Sequence, residues 1–487
     1  MKKIIVVGSG FSSLSVASYL AQAGYQVDIF EKNATPGGRA RQFKKDGFTF
    51  DIGPSWYWMP DVFESYFGDF GKKVSDYYKL EKLDPGYEVY FDNQTSIKIG
   101  DSLEKIYAAF EEEEKGSSVP LKRFIDNAAD NYDIAIKDLV YRPGISPLEF
   151  VTPATIKKIG YFLSTIKKEV LKEFSNPRLA KILQFPVLFL GAKPSQTPAF
   201  YNFMNFADFG LGTWHPDKGM YSVVEGMVRL TREFGVNFHL GETVEEILVE
   251  NKQAIGIRSN GKEHKADIVI SGADYHHSES LLPQKYRAYS EAYWDKKTFA
   301  PSSLLFFVGI DKKVKNVSHH TLFFDVDFDA HASDLYDDPK WPKEPLFYAN
   351  FPSITDASMA PEGKEACFLL IPIAPGLEDT PELREKYFNI VINRLEKLTD
   401  QKIRPHISFY ESFCVNDFVA EYNSYKGNAY GMANTLLQTA FLRPKLKSKK
   451  VNNLYFTGQL TVPGPGVPPS LISGKLVASL VCPPTTK

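Results

Sequence analysis

The stretch MKKIIVVGSGFSSLSVASYLAQAGYQVDIFEK, residues 1–32, decides the fold. Its two opening lysines, apolar run and small residues near Ala21 and Ala23 resemble a secretory leader. A leader needs an unbroken apolar centre, and here Gly8, Ser9, Gly10, Ser12, Ser13 and Ser15 interrupt it. A strand–turn–helix–strand reading accounts for every part. Lys3 to Val7 is a short β-branched run, the pattern of a buried parallel strand. A glycine turn follows at once. Leu14, Ala17, Ser18 and Ala21 recur at helical spacing, and Gly24 stands where a helix C-cap belongs. Gln26 to Phe30 is a second strand, ending at Glu31.

This is a βαβ unit carrying G-x-G-x-x-S. Gly8 permits the tight turn, and Gly10 lets the backbone approach a pyrophosphate at the helix N-terminus, where free N–H groups and the dipole favour anions. Phe11 and Ser12 open that helix. Ser13 replaces the third glycine of the usual motif and is small enough for helix–strand packing. Glu31, 21 residues after Gly10, stands where a carboxylate accepts from ribose hydroxyls, with Lys32 beside it. Together they predict dinucleotide binding.

Composition sets the frame. A chain of 487 residues is long enough for two or more domains. A net charge of −2 suggests no nucleic-acid partner. The 37 Phe and 26 Tyr fit either a Phe-rich core or an aromatic-lined ligand site. Cys367, Cys414 and Cys482 are far apart, which gives no disulfide framework or zinc spacing and suits a reducing cytoplasm. His276-His277 and His319-His320 lack ligand spacing, so no metal is expected. Nowhere do 18 apolar residues run together, so no membrane span is expected. Residues 482–487 look like a frayed tail.

Gly37-Gly38 and Arg39 follow Glu31 closely, adding contacts suited to a diphosphate, and Phe48–Pro54 is a strand that breaks at Gly53-Pro54. This succession resembles the FAD-binding domain shared by amine oxidases, protoporphyrinogen oxidases and carotenoid desaturases. The resemblance implies that Gly37, Gly38, Arg39 and Ala40 hold the diphosphate region and that Pro54 and Ser55 lie beside the flavin ring. NNLYFTGQLTVPGPGVPPSLISGKLVAS (452–479) reads as a strand Leu454–Thr457, a loop, and a helix from about Ser470. In the family, Gly458 sits at the ribityl phosphate and Gly466 and Val467 place N–H groups near the pyrimidine. Gln459 stands where the family often has Asp or Glu. Within 218–275, Gly219–Glu233 reads as a helix, Val236–Leu240 and Ala266–Ser271 as strands, and Thr243–Glu250 with Ala254–Ser259 as a hairpin-like pair. Val244 matches the position whose backbone meets adenine.

The expected architecture is α/β: a discontinuous, Rossmann-like FAD-binding domain (1–70, 218–275 and 450–487) beside a mixed-sheet substrate domain (71–217 and 276–449). The latter includes a helical lid or membrane subdomain at about 115–200. The strand-like run 301–310 and the Phe-rich run 186–206 fit an apolar chamber. Residues 153–182 read as a basic amphipathic helix, with Lys157, Lys158, Lys167, Lys168, Lys172, Arg178 and Lys181 against Glu169 and Glu173, and an apolar stripe of Ile159, Phe162, Leu163, Ile166, Val170, Leu171 and Phe174. Such a segment either covers a core or lies on an anionic membrane surface.

The whole chain resembles bacterial carotenoid desaturases of the phytoene desaturase type, most specifically in DIGPSWYWMPDVFE (51–64) and the proline-glycine loop 463–469. The resemblance implies FAD and removal of hydrogen across C–C single bonds of a linear C40 polyene, with hydride passing to flavin N5. The FAD is expected to be non-covalent, because no Cys or His lies in the boxes expected at the ring. The resemblance further implies a carotenoid substrate; oxygen or a quinone is a natural electron acceptor. Because such a substrate is almost insoluble in water, peripheral attachment to the cytoplasmic side of the inner membrane through the basic segment is expected. A 1-hydroxycarotenoid 3,4-desaturase is the close alternative, and an amine oxidase-like flavoenzyme the more distant one. The residues name no general base.

Overall fold

The fold is seen in a computed structural model that describes residues 1–92, 95–435 and 437–483. The last four residues of the expected frayed tail lie outside that range.

Its organising layer is a five-stranded parallel sheet, ordered Leu454–Phe456, Ile268–Ser271, Lys3–Val7, Gln26–Glu31, Asn237–Leu240. Ile4, Ile5 and Val6 of the central strand are fully buried, because both sheet faces are covered. Ile4 pairs with Val27 on one side and Ile268 on the other. Helices Phe11–Gln22 and Val467–Val481 cross closely. A Cβ on Gly474 would stand 2.6 Å from the Ser12 carbonyl oxygen, so the crossing demands a small residue. The last helix begins at Val467, not near Ser470. Pro468 and Pro469 fit its first turn, where backbone N–H groups have no intrahelical acceptor.

Beside this sheet stand three antiparallel strands, Val244–Glu250, Gln253–Ser259 and Lys262–Lys265. The sequence reading gave two. Lys262–Lys265 is KEHK, with no apolar alternation to mark it.

The second large layer is a seven-stranded mixed sheet: Ile407–Phe413, Ser302–Ile310, Glu365–Ile373, Phe347–Asn350, His320–Phe323, Tyr87–Asp92, Thr95–Ile99. Only the pairing of His320–Phe323 with Tyr87–Asp92 is parallel. Alternation along Ser302–Ile310 sorts its side chains. Leu304, Phe306 and Val308 join the core shared with helix Pro381–Thr399, and Ser303 and Leu305 face the opposite way, into a cavity.

Helices Leu103–Glu113 and Ser118–Lys137 lead to a region where the expected single helix over 153–182 is corrected. The chain forms four short helices instead: Pro153–Lys157, Ile159–Leu163, Ile166–Glu173 and Pro177–Gln184. Ser164 and Phe174 are extended, Thr165 caps the third helix, and Asn176 caps the fourth ahead of Pro177. These cap residues compete locally with helix continuation. The apolar stripe divides as a result. Ile166, Val170 and Phe174 are buried and Phe162 stacks on Phe200 at 4.4 Å, whereas Ile159 and Leu163 are 57% and 79% exposed.

Candidate functional site: one cavity joining a polar cradle to an apolar chamber

A cavity of about 460 Å³ runs from the glycine turn to the seven-stranded sheet. Its polar end is built by backbone geometry. Gly8, Gly37 and Gly38 have φ of +87°, +116° and +56°, a region that side chains other than glycine rarely adopt. A Cβ on Gly38 would stand 3.2 Å from Gly10 Cα, whereas one on Gly10 would meet nothing within 4 Å. Gly10 therefore borders open space at the start of helix Phe11–Gln22. No side chain caps that helix, so its first N–H groups remain available to an anion.

Glu31 is 5% exposed and already engaged within the protein. Its Oε2 accepts from Ser9 N at 2.9 Å and Ser9 Oγ at 2.7 Å, and its Oε1 accepts from Asn33 N at 2.9 Å and Asn33 Nδ2 at 3.0 Å. The carboxylate ties the glycine turn to the loop after the second strand. Lys32, which also lines the cavity, donates from Nζ to the Ala420 carbonyl at 2.6 Å.

Opposite the turn, Arg39 donates to Ser424 Oγ and lies 5.4 Å from the Tyr422 ring centroid. Its Nε is buried with no partner among the described residues, as is Asp274 Oδ2. Both residues line the cavity. Burial lowers the Arg39 pKa and raises that of Asp274, so each charged form is costly unless something polar enters the space.

Pro54, Ser55, Val244, Gly458, Gln459, Gly466 and Val467 also line the cavity, as do Phe11 and Ser12. Gly466 has φ of +116° and precedes the last helix without a side-chain cap, which leaves a second helix start open to the space. Gly458 N donates to Ser473 Oγ at 3.0 Å. Ser13 is the exception. It is fully buried behind the turn, and a Cβ on Gly272 would overlap its Oγ. It spaces helix from strand.

The far end is apolar and aromatic. Trp56, Trp58, Phe185, Leu305, Leu322 and Tyr348 contribute to its wall. Trp56 stacks on His320 at 4.1 Å with planes 10° apart. His320 and His319 are fully enclosed, which pushes their pKa values well below the usual imidazole range and leaves them neutral. His331, on the chamber wall, donates from Nε2 to the Pro372 carbonyl at 2.9 Å, and its Nδ1 accepts from Leu346 N at 2.9 Å. Burial lowers its pKa to about 4.

Sequence reasoning missed Asp274, Tyr422, Trp56 and Tyr348 as cavity residues. Asp274 had a signal: it stands three residues after the parallel strand Ile268–Ser271, beyond the carboxyl end of the strand, where ligands gather. Tyr422 had none, because helix Val415–Tyr422 reaches the cleft only through tertiary packing. Among the described residues, no group of three or more His, Cys, Asp or Glu side chains is placed to hold a metal ion, and no helix is long and apolar enough to cross a membrane.

Residues 11–482 match the family of flavin containing amine oxidoreductases. The chain is 41% identical to a carotenoid 3,4-desaturase of Haloarcula japonica, across 98% of this chain and 97% of that one. It is 32% identical to a zeta-carotene-forming phytoene desaturase of Myxococcus xanthus, across 98% and 93%. The fold is similar to that of an oxidoreductase from Methanosarcina mazei, with a TM-score of 0.62, 16% identity, and coverage of 98% and 99%. The chain belongs to the flavin containing amine oxidoreductase family and, within it, to the carotenoid desaturases.

Proposed function

We propose that this protein is an FAD-dependent desaturase that removes hydrogen from C–C single bonds of a linear C40 carotenoid. The observation that carries this reading is the continuity of one cavity from a nucleotide-type cradle to an aromatic chamber large in apolar surface and poor in charge. The residues present fit FAD. The space beside Gly10, the open start of helix Phe11–Gln22 and the unsatisfied Arg39 Nε suit a diphosphate. Glu31 already accepts four hydrogen bonds, one for each of its lone-pair sites, so in this reading a ribose hydroxyl takes the place of one of the Ser9 or Asn33 donors. Val244 is assigned to the adenine side, Pro54 and Ser55 to the ring, and Gly458, Gln459, Gly466 and Val467 to the ribityl and pyrimidine side. Binding is non-covalent in this reading, since Pro54, Ser55, Gly458, Gln459, Gly466 and Val467, the residues assigned to the ring and its ribityl and pyrimidine side, include no cysteine or histidine.

When bound, FAD supplies a hydride acceptor. The protein's share is to hold an extended hydrocarbon in place and to keep water out, which the buried aromatic wall serves. Oxygen or a membrane quinone would then reoxidise the flavin.

A second reading, 3,4-desaturation of a hydroxylated carotenoid, is favoured by the 41% identity to the Haloarcula protein, against 32% to the phytoene desaturase of Myxococcus. Co-expression decides between the two. Longer polyenes in a phytoene-making host support the first. Pigment change only in a host making a hydroxylated carotene supports the second.

Peripheral membrane attachment on the cytoplasmic side belongs to the same proposal. Ile145, Leu148, Val151, Ile156, Ile159 and Leu163 are 57–79% exposed within a short stretch of chain. Phe150 lies 6.4 Å from Phe441, which brings the stretch next to exposed Leu442. Apolar side chains presented this way suit insertion among lipid headgroups, with Lys157 and Lys168 beside them to attract anionic lipid.

A further inference from the structure

We propose that Ser55, Tyr348 and His320 form a proton-accepting relay that leads out of the apolar chamber into the sheet and takes up the proton lost on desaturation. The proposal rests on the desaturase reading above.

Ser55 and Tyr348 both line the chamber. Ser55 Oγ lies 3.0 Å from the Tyr348 hydroxyl, which lies 2.6 Å from His320 Nδ1. Either hydroxyl could in principle donate either way, and Asn350 settles the direction. The His319 carbonyl oxygen can only accept, and Asn350 Nδ2 is 3.0 Å from it, so that atom is the amide nitrogen. The same nitrogen lies 3.3 Å from His320 Nδ1. A donor does not face a donor, so the relay assigns the lone pair to Nδ1 and the hydrogen to Nε2, which is buried with no hydrogen-bond partner among the described residues. Tyr348 therefore donates to His320 and Ser55 donates to Tyr348, which leaves Ser55, a residue that lines the chamber, able to accept. Every hydrogen in the chain points inward.

The balance of the step follows. One C–H hydrogen leaves with its electron pair as hydride to the flavin. The hydrogen on the neighbouring carbon leaves as a proton, and its bonding pair becomes the new C=C bond. The proton arrives on Ser55 Oγ. Each hydroxyl passes on the hydrogen it already holds, both end neutral, and Nδ1 is protonated. The hydrocarbon is oxidised and the flavin reduced.

Burial supports this use of His320. It holds the ring neutral beforehand, and it raises the Tyr348 pKa so that the phenol conducts without ionising. The stack on Trp56 holds the plane of the ring. The neighbouring His319 ring, 4.5 Å away, is also neutral. A buried imidazolium is costly, so His320 stores the proton briefly and returns it once product leaves. His331 cannot substitute, because the Leu346 amide already occupies its Nδ1.

The test uses two variants and two readouts. Tyr348→Phe should retain flavin and bind phytoene in liposomes as the parent does, and Ser55→Ala, placed beside the ring, is compared per bound flavin after its flavin content is measured. In anaerobic rapid mixing, the first-turnover bleaching of their flavin should be slower by about a hundredfold. Separately, nitrogen NMR of the histidine-labelled, flavin-free protein should report His320 as the Nε2–H tautomer, with an Nδ1 resonance that moves in Tyr348→Phe. Bleaching at the parent's rate in both variants, or an Nδ1–H tautomer in the parent, would overturn the relay. If the parent's own flavin is bleached by neither phytoene nor a hydroxylated carotene, the desaturase reading fails instead. The NMR arm still decides the direction of the chain. Should Tyr348→Phe lose flavin, Ser55→Ala and the NMR of the parent decide alone.

Discussion

The polar cradle and the apolar chamber share one cavity but are built by opposite means. The cradle is made of backbone: positive-φ glycines, an open helix start, and one carboxylate that ties two loops together. The contacts that shape its turn are local in sequence, since Ser9, Glu31, Asn33 and Gly37 lie within the first 37 residues, while Arg39 and Lys32 reach out to the distant segment at 420–424. The chamber is made of side chains drawn from distant segments. Trp56, Phe185, Leu305, Leu322 and Tyr348 meet only once the seven-stranded sheet and the helical region are assembled. Single changes in the cradle should therefore act on cofactor and fold together, while those in the chamber and on the surface should act on one property each.

Glu31→Ala should have the largest effect, because it strands four hydrogen-bond donors, two of them Ser9 N and Asn33 N. A hydrogen bond to a charged group is worth roughly 1.5–3 kcal/mol. Flavin should be lost on gel filtration, and the flavin-free protein should also unfold at lower urea than its parent. If the flavin-free variant is as stable as the flavin-free parent, Glu31 serves the ligand alone and the loop-tying account is wrong. Glu31→Gln should be milder in both measurements.

Gly38→Ala comes next. At φ of +56° a non-glycine residue is strained by about 1–2 kcal/mol, and its methyl would press on Gly10 Cα. Flavin affinity measured by titration should fall by roughly tenfold. Unchanged affinity would mean that the second glycine pair does not shape the cradle.

Asp51 sharpens the comparison through pH. Its carboxylate accepts from Met220 N at 2.7 Å and Tyr221 N at 3.1 Å at the start of helix Tyr221–Glu233, and burial pushes its pKa up to about 6. The folded pKa lies above the ordinary carboxylate value, so the folded state binds the proton more tightly. The stability this group contributes is fully present below pH about 4 and is lost as pH rises through about 6. Asp51→Asn should flatten the pH dependence of urea stability in that window. An unchanged slope would assign the dependence to other groups.

The smallest effect on the fold is expected at the surface. Leu148→Glu with Leu163→Glu alters side chains that are 77% and 79% exposed, so stability should stay within about 0.5 kcal/mol. Flotation with anionic liposomes should nevertheless be lost. Flotation equal to the parent's would move the attachment site elsewhere.

The same contrast explains what was legible in the sequence. Lys3–Val7, the glycine turn, the helix after it and Gln26–Glu31 were readable because strand, turn and helix signals all agree within a short stretch of chain. Lys262–Lys265 was not, since an edge strand with polar faces carries no apolar period. The helix over 153–182 was misread because its residues do recur at helical spacing, while Thr165 and Asn176 cap new helices inside the run. The last helix begins at Val467 and not near Ser470, because its two prolines occupy a first turn that needs no N–H donor from them. Tyr422 and Tyr348 join the cavity through strand order and helix docking, which no local pattern encodes. Glu31 was singled out as a ribose partner, but its bonds to Ser9 and Asn33 emerged only in three dimensions.

The central claim is that one cavity brings flavin and polyene together. The most direct measurement mixes the purified, flavin-bound protein anaerobically with liposomes containing phytoene or a hydroxylated carotene and follows the visible spectrum. The account predicts loss of the oxidised-flavin absorbance, together with new carotenoid absorbance at longer wavelength, from a product with one more conjugated double bond. Flavin that stays oxidised with every carotenoid offered, on protein that holds its full complement of FAD, would contradict it.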